Sequence, residues 1–288
     1  MIGARRMDGP SRGWRYIDLA LLGSNTLRSY AVSLVRIILS PVLFIAVAWA
    51  AIFLLAARHW LPPAFVTGAV VATAFAAVIV AGMALAWSVA RTHRRPWRSL
   101  IAADLRVDWR RLAIGAGVEA MLLLAFLSIP HLLTGQSWGI KPAMTRPSFV
   151  VVMLLIPFQA ASEEMLFRGY LTQALGRIFR RRSTIVAIVG LVFGAMHFNA
   201  YGPLTVPYLF GLSVIFSIVS LRDERLELTI GAHAGMNWFA ISAGALAAGH
   251  PDIRLNWAAF AALLLHGALF YGLTRLLVQR CCERSPAG

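Results

Sequence analysis

Glu163-Glu164-Met165-Leu166-Phe167-Arg168 places two acids and a guanidinium inside an otherwise apolar run of the chain. A charged side chain at the centre of a membrane span costs about 2.5–3.5 kcal/mol, so three unpaired charges would cost roughly 8 kcal/mol. On a helix, Glu164 and Arg168 stand four apart with the acid first, the favourable orientation for an ion pair. Glu163 points about 100° away from Glu164, so one acid can be structural while the other is free for proton chemistry. The same four-residue spacing recurs in Phe193 with His197 and in His233 with Asn237. Taken singly, each histidine suits a packed interface, and the charges suit a cluster closing a bundle or lining a transport path. Taken together, two carboxylates, two imidazoles and an amide supply a base, a proton shuttle and hydrogen-bond donors. Those are the parts needed to hydrolyse an amide with an activated water.

Other chemistries of intramembrane proteolysis lack their residues. Asp8, Asp18, Asp104, Asp108, Asp223 and Asp252 all fall outside or at the edges of the apolar runs, so no aspartyl dyad is available. His-Glu-x-x-His and Gly-x-Ser-Gly are absent, and Cys281 and Cys282 lie beyond the last run. Two adjacent cysteines also provide neither a disulfide framework nor a four-cysteine metal site, and neither stands fourth from the end as prenylation requires.

The elements that carry these residues are set by composition. The chain is 59% hydrophobic and 14% charged, against about 25% charged in soluble domains. Apolar runs of spanning length occur near 34–56, 64–90, 112–133, 148–172, 184–199, 204–221, 227–248 and 257–279. The expected fold is all-α: a polytopic transmembrane bundle of about eight spanning helices. Its domains read as a basic N-terminal tail (1–33), two helices with an Arg-rich loop (34–111), a catalytic bundle (112–280) and a C-terminal tail (281–288).

Net charge of +15 could mean nucleic acid, but its placement argues for membrane lipid. With a cytoplasmic N-terminus, 22 of the 27 basic residues fall on the inner side. Arg58, Lys141, Arg146 and Arg254 fall outside, and Arg168 within a span. This asymmetry predicts a multi-pass cell-membrane protein with both termini cytoplasmic and no nucleic-acid partner. No adequate apolar stretch precedes Val32, so no cleaved signal peptide is expected.

The order Glu-Glu-x-x-x-Arg, Phe-x-x-x-His, His-x-x-x-Asn, each in an apolar run, resembles the CAAX protease and bacteriocin-processing family over about residues 148–245. The resemblance implies an eight-helix membrane endopeptidase in which Glu163 and His197 activate water while His233 and Asn237 hold the oxyanion. Glu164, Arg168 and Phe193 would support them. Its implied substrate is a peptide or protein in the membrane, prenylated at its C-terminus in eukaryotic relatives; bacterial relatives are linked to bacteriocin immunity or peptide processing. The alternative is a non-catalytic immunity scaffold or transporter using the same polar cluster. Family members have been described with and without a metal; the expectation is no cofactor, with zinc on Glu163, His197 and His233 as the alternative.

The residues themselves agree with those roles, a neutral His233 imidazole and the Asn237 amide donating to developing negative charge. Straight helices would nevertheless leave Glu163 nearer the cytoplasmic side than His197, so a tilt, a shifted helix border or a kink near Pro157 is needed. Glu119 could line the cavity, pair with Arg168 or face water; His131 and His266 read as packing residues. Trp14, Trp60, Trp87, Trp97, Trp109, Trp138 and Trp257 near the span ends fit an aromatic belt.

Overall fold

The computed structural model describes residues 15–134, 147–198, 204–242 and 257–282. Several sequence expectations fall outside those residues: Trp14, Trp138, Lys141, Arg146, Arg254, Asp8, Asp252 and the last part of the seventh run, 243–248. Among the described residues the chain is helical, with no named strand. Its α-helices are α1 (Leu27–Ala57), α2 (Pro63–Arg91), α3 (Trp109–Thr134), α4 (Pro147–Glu164) and α5 (Thr172–Gly176). They continue with α6 (Arg182–Met196), α7 (Thr205–Asp223), α8 (Glu227–Ser242) and α9 (Trp257–Cys281). A π-helical stretch, Met165–Leu171, joins α4 to α5 in one rod, so the eight expected runs each coincide with a helical rod.

Five rods are long and apolar enough to cross a membrane: Leu27–Ala57, Pro63–Arg91, Phe149–Gly176, Thr205–Asp223 and Phe260–Cys281. The chain is a polytopic helical membrane bundle. In lipid every backbone polar group must be satisfied within the segment, which selects helices and tolerates Pro41 and Pro157 inside them. Borders follow local chemistry. The Thr26 hydroxyl accepts the Ser29 N–H at 3.1 Å and starts α1, seven residues before the expected border, while Pro63 opens α2. At the end of α7, Glu224 takes a left-handed conformation (φ 56°), and the chain turns into α8.

On the side where the inner arginines gather, non-helical backbone is clamped. Leu226 N–H donates to Ile101 O at 2.8 Å, joining the segment after α2 to the α7–α8 turn. Arg225 binds Asp104 at 2.6 Å and Glu227 at 2.8 Å. A 3-10 helix, Tyr16–Leu22, buries Tyr16 and Leu19 completely, and its Ile17 sits where a side chain on Gly176 of α5 would have to go. Part of the expected basic tail is therefore core.

The site depends most on how α3 meets α8. A Cβ placed on Gly115 would lie 2.1 Å from Leu228 O, and one on Gly231 would lie 2.1 Å from Leu112 O, so the two backbones touch through glycine. Beyond this crossing, Val118, Leu122, Phe216, Leu228 and Phe270 form a buried core among α3, α7, α8 and α9. On the other flank, Val152, Ile156 and Ala160 of α4 pack on Ala234 and Ile241 of α8. Helix α8 is thus held on both sides.

Gly115→Ala is expected to lower the thermal midpoint of the purified protein, because a methyl group there must push two helix backbones apart, an overpacking cost of about 1–3 kcal/mol. Gly117→Ala, two residues along the same helix with nothing within 4 Å of the added Cβ, should leave the midpoint unchanged or raised. Equal responses at the two positions would refute the close-approach account.

Candidate active site

Two helical rods, α4 with its π-helical continuation and α8, bring most of the polar residues to one place, and the end of α6 adds His197 beside them. Gln159 and Glu163 share a face of α4, one turn apart, and the Gln159 amide donates to Glu163 Oε1 at 2.6 Å. His233 and Asn237 share a face of α8. Asn237 Nδ2 donates to Gln159 Oε1 at 2.9 Å, and His233 Nε2 lies 3.5 Å from Glu163 Oε2. A chain Asn237–Gln159–Glu163–His233 therefore closes across the α4–α8 seam.

Behind it sits a charge relay that is wholly buried. Glu164 is 0% exposed and Arg168 1%; Arg168 Nη1 donates to Glu164 Oε1 at 3.0 Å, and the same oxygen lies 2.8 Å from His233 Nδ1. The guanidinium stacks 4.5 Å from the Phe193 ring centre and 5.6 Å from Phe216, so aromatic faces cover the cation where water cannot. The expected Glu164–Arg168 pair is present, although Arg168 belongs to the π-helical stretch and not to a regular α-helix. Such single π turns recur at functional sites because they rotate the following side chains out of α register.

Phe193 connects the remaining histidine. Its ring centre lies 4.8 Å from that of His197, 5.0 Å from Phe167 and 6.3 Å from His233. One expectation needs correction here: α6 ends at Met196, so His197 is the residue that terminates the helix and not a member of it. His197 Nδ1 lies 2.8 Å from Phe193 O, which fixes the tautomer with the proton on Nδ1 and leaves Nε2 as an acceptor. His197 is half-buried and reaches the others through the Phe193 ring.

Sequence reasoning missed two things. Gln159 is the amide that links the two motif helices, and the signal was available: a polar residue in an apolar run, four before Glu163. The second is a pair outside the motifs. Glu119 of α3 is 0% exposed and its Oε1 lies 3.1 Å from His266 Nε2 of α9, so it faces His266 and not Arg168. The ring of His266 stacks with Phe270 at 6.4 Å, and Glu119 backs Gly235, midway between His233 and Asn237 on α8. Nothing in linear spacing connects residues 119 and 266.

Of the alternative zinc set, Glu163 and His233 are adjacent, while His197 is held to its own helix end through Nδ1 with Nε2 left open. Among the described residues no three His, Cys, Asp or Glu side chains group closely enough to hold a metal ion.

The family described as type II CAAX prenyl endopeptidase Rce1-like matches residues 145–239, a stretch that contains all three motifs from Glu163 to Asn237. The uncharacterized protein YyaK of Bacillus subtilis (strain 168) is 29% identical over 157 residues, 51% of this chain and 52% of its own length. The chain thus spans about half the length of that curated relative. No solved structure matches it. The likeness to CAAX proteases is shown over the motif region.

A double-mutant cycle tests whether Glu119 and His266 interact. Glu119→Gln and His266→Gln are expected to destabilise non-additively, with a coupling of roughly 0.5–3 kcal/mol in thermal or denaturant unfolding. Strict additivity would show that the 3.1 Å approach carries no interaction energy.

Proposed function

We propose that this chain is an intramembrane endopeptidase that hydrolyses a peptide bond of a membrane-associated substrate with water activated by Glu163 and His197. The observation that carries the proposal is the closed cluster on α4 and α8: Glu163 within 3.5 Å of His233 Nε2, with Asn237 tied to Glu163 through Gln159. The match to CAAX prenyl endopeptidases over 145–239 supports the reaction class. A C-terminally prenylated peptide is the substrate class that match suggests.

Charge balance defines the reactive state. Glu164 and Arg168 cancel, and a site excluded from water tolerates little net charge. One proton is then shared between Glu163 and His233: either carboxylate with imidazolium, or carboxylic acid with neutral ring. Both forms leave the cluster neutral. The N–H at His233 Nδ1 is committed to Glu164, so donation from Nε2 requires the imidazolium and not the neutral ring expected from sequence. The form with ionised Glu163 and His233 imidazolium supplies both a base and an oxyanion donor.

In this form Glu163 takes a proton from water while the Nε2 acceptor of His197 orients it. The water oxygen bonds to the scissile carbon, and the carbonyl electron pair moves onto oxygen. That oxyanion is held by His233 Nε2–H and Asn237 Nδ2–H. Glu163 then gives its proton to the leaving nitrogen as the C–N bond breaks and the carbonyl re-forms, releasing a carboxylic acid, which keeps the water's second proton, and an amine. No step uses a metal.

Glu163→Ala and His197→Ala should each reduce cleavage of a membrane peptide reporter at least a hundredfold, with unchanged size-exclusion profile and helicity. Glu163→Gln separates catalysis from scaffolding: a non-catalytic immunity protein or transporter keeps its cellular phenotype with the isosteric amide, whereas an endopeptidase loses it. Cleavage by purified protein is expected to survive strong chelators, with substoichiometric zinc by elemental analysis. Loss of activity on chelation that zinc alone restores would overturn the metal-independent route.

A further inference from the structure

On the far side of the α4–α8 seam from the acid–imidazole cluster lies a groove of about 650 Å³ bounded by α3, α4 and α8. Its position follows from helical geometry. Ala161 and Met165 line it, and each is two residues from Glu163, about 200° round the rod. Ala234 lines it from α8, about 100° from His233. Buried packing of Ala160 and Ile156 on Ala234 closes the seam between the two spaces. The floor is shallow-sided because small residues, Ala116, Ala161, Gly231 and Ala234, meet where the α3 and α8 backbones touch.

The two ends of the groove differ in kind. One end is apolar, with Phe158 63% exposed beside Trp238. The other is the side to which sequence assigns the cytoplasm, and there Arg98, Arg106, Trp97 and Trp109 line the opening. Arg98 lies against the Trp97 ring at 5.7 Å. Neither Arg98 nor Arg106 makes a salt bridge among the described residues, and both side chains are exposed. The acids nearby are engaged: Asp104 holds Arg225 at 2.6 Å, and Glu227, which also lines the groove, is fully buried and bridged by Arg225 at 2.8 Å. An apolar trough of this size ending in two exposed guanidinium groups, neither in a salt bridge among the described residues, and two indole rings is complementary to a molecule with a long hydrocarbon chain and a phosphate head.

We propose that this groove is a binding site for one anionic phospholipid, with its phosphate between Arg98 and Arg106 and one acyl chain along Ala116, Ala161 and Ala234. The seam separates it from the acid–imidazole cluster, so the lipid is a resident and not the substrate. Its chain fills the trough between α3, α4 and α8 that no other helix covers among the described residues, and occupancy does not depend on whether the chain cleaves peptides.

The test is native mass spectrometry of the full chain in a neutral detergent, titrated with phosphatidylglycerol and phosphatidylcholine of identical acyl chains. One phosphatidylglycerol is expected to remain bound with at least tenfold preference over phosphatidylcholine. Arg98→Glu combined with Arg106→Glu should remove that preference while leaving the thermal midpoint of the lipid-free protein unchanged, since both side chains are exposed. Ala161→Phe should block the trough and lose the lipid with the basic mouth intact; the charge-reversal variant decides alone if this one does not fold. Equal retention of both lipids, or a preference that survives charge reversal, would overturn the proposal. So would stoichiometric displacement of the lipid by a farnesylated peptide, which would make the groove a substrate channel.

Discussion

A carboxylate, a guanidinium and an imidazole meet at Glu164 Oε1, and this three-way contact ties α8 to the α4–α5 rod by charge where the rest of the seam is apolar. Each ion would be costly to bury alone, and each is stabilised only while the others stay within hydrogen-bonding distance. Arg168 and His233 come from different rods, so the contact dictates how α8 sits on the α4–α5 rod. It also determines which nitrogen of His233 faces Glu163. A site built on such a contact has little freedom to relax, which is what the oxyanion donor proposed above needs if it is not to reorganise during reaction.

The rest of the structure serves this geometry. Glycines at 115 and 231 bring α3 against α8 at backbone contact, and Ala160 and Ala234 share a buried apolar cluster between α4 and α8. The π-helical stretch from Met165 lets Arg168 reach back to Glu164 while Phe167 turns towards Phe193. That ring in turn covers the guanidinium on one side and packs on His197 on another. The Glu119–His266 pair adds a second buried polar tie, from α3 to α9, immediately behind the part of α8 that carries His233 and Asn237.

Close packing on the face that carries Glu163 and His233 leaves the opposite faces of α4 and α8 lining a groove among the described residues. Small residues that permit the seam also hollow the groove behind it, so the cluster and the apolar trough arise from one packing choice. Arginines gathered at one end of the trough give it a charged mouth, linking the uneven distribution of basic residues along the chain to a particular place on its surface.

Eight helical rods, their approximate borders, the Glu164–Arg168 pair and the grouping of Glu163, His233 and Asn237 could all be read from residue order. They rest on periodicity, run length and the cost of charge in lipid, all of which act along one helix. Contacts between helices were not readable in the same way. Gln159 as the link to Asn237, the end of α6 before His197, the π turn and the pairing of residues 119 and 266 depend on crossing angles and on which faces meet. Those are settled by glycine contacts and side-chain volumes summed over several rods, and no spacing rule within a single rod contains them. Sequence alone thus determined which polar groups enter the membrane; tertiary structure decided which atoms they share, because a buried charge accepts any partner that reaches it and only packing selects one.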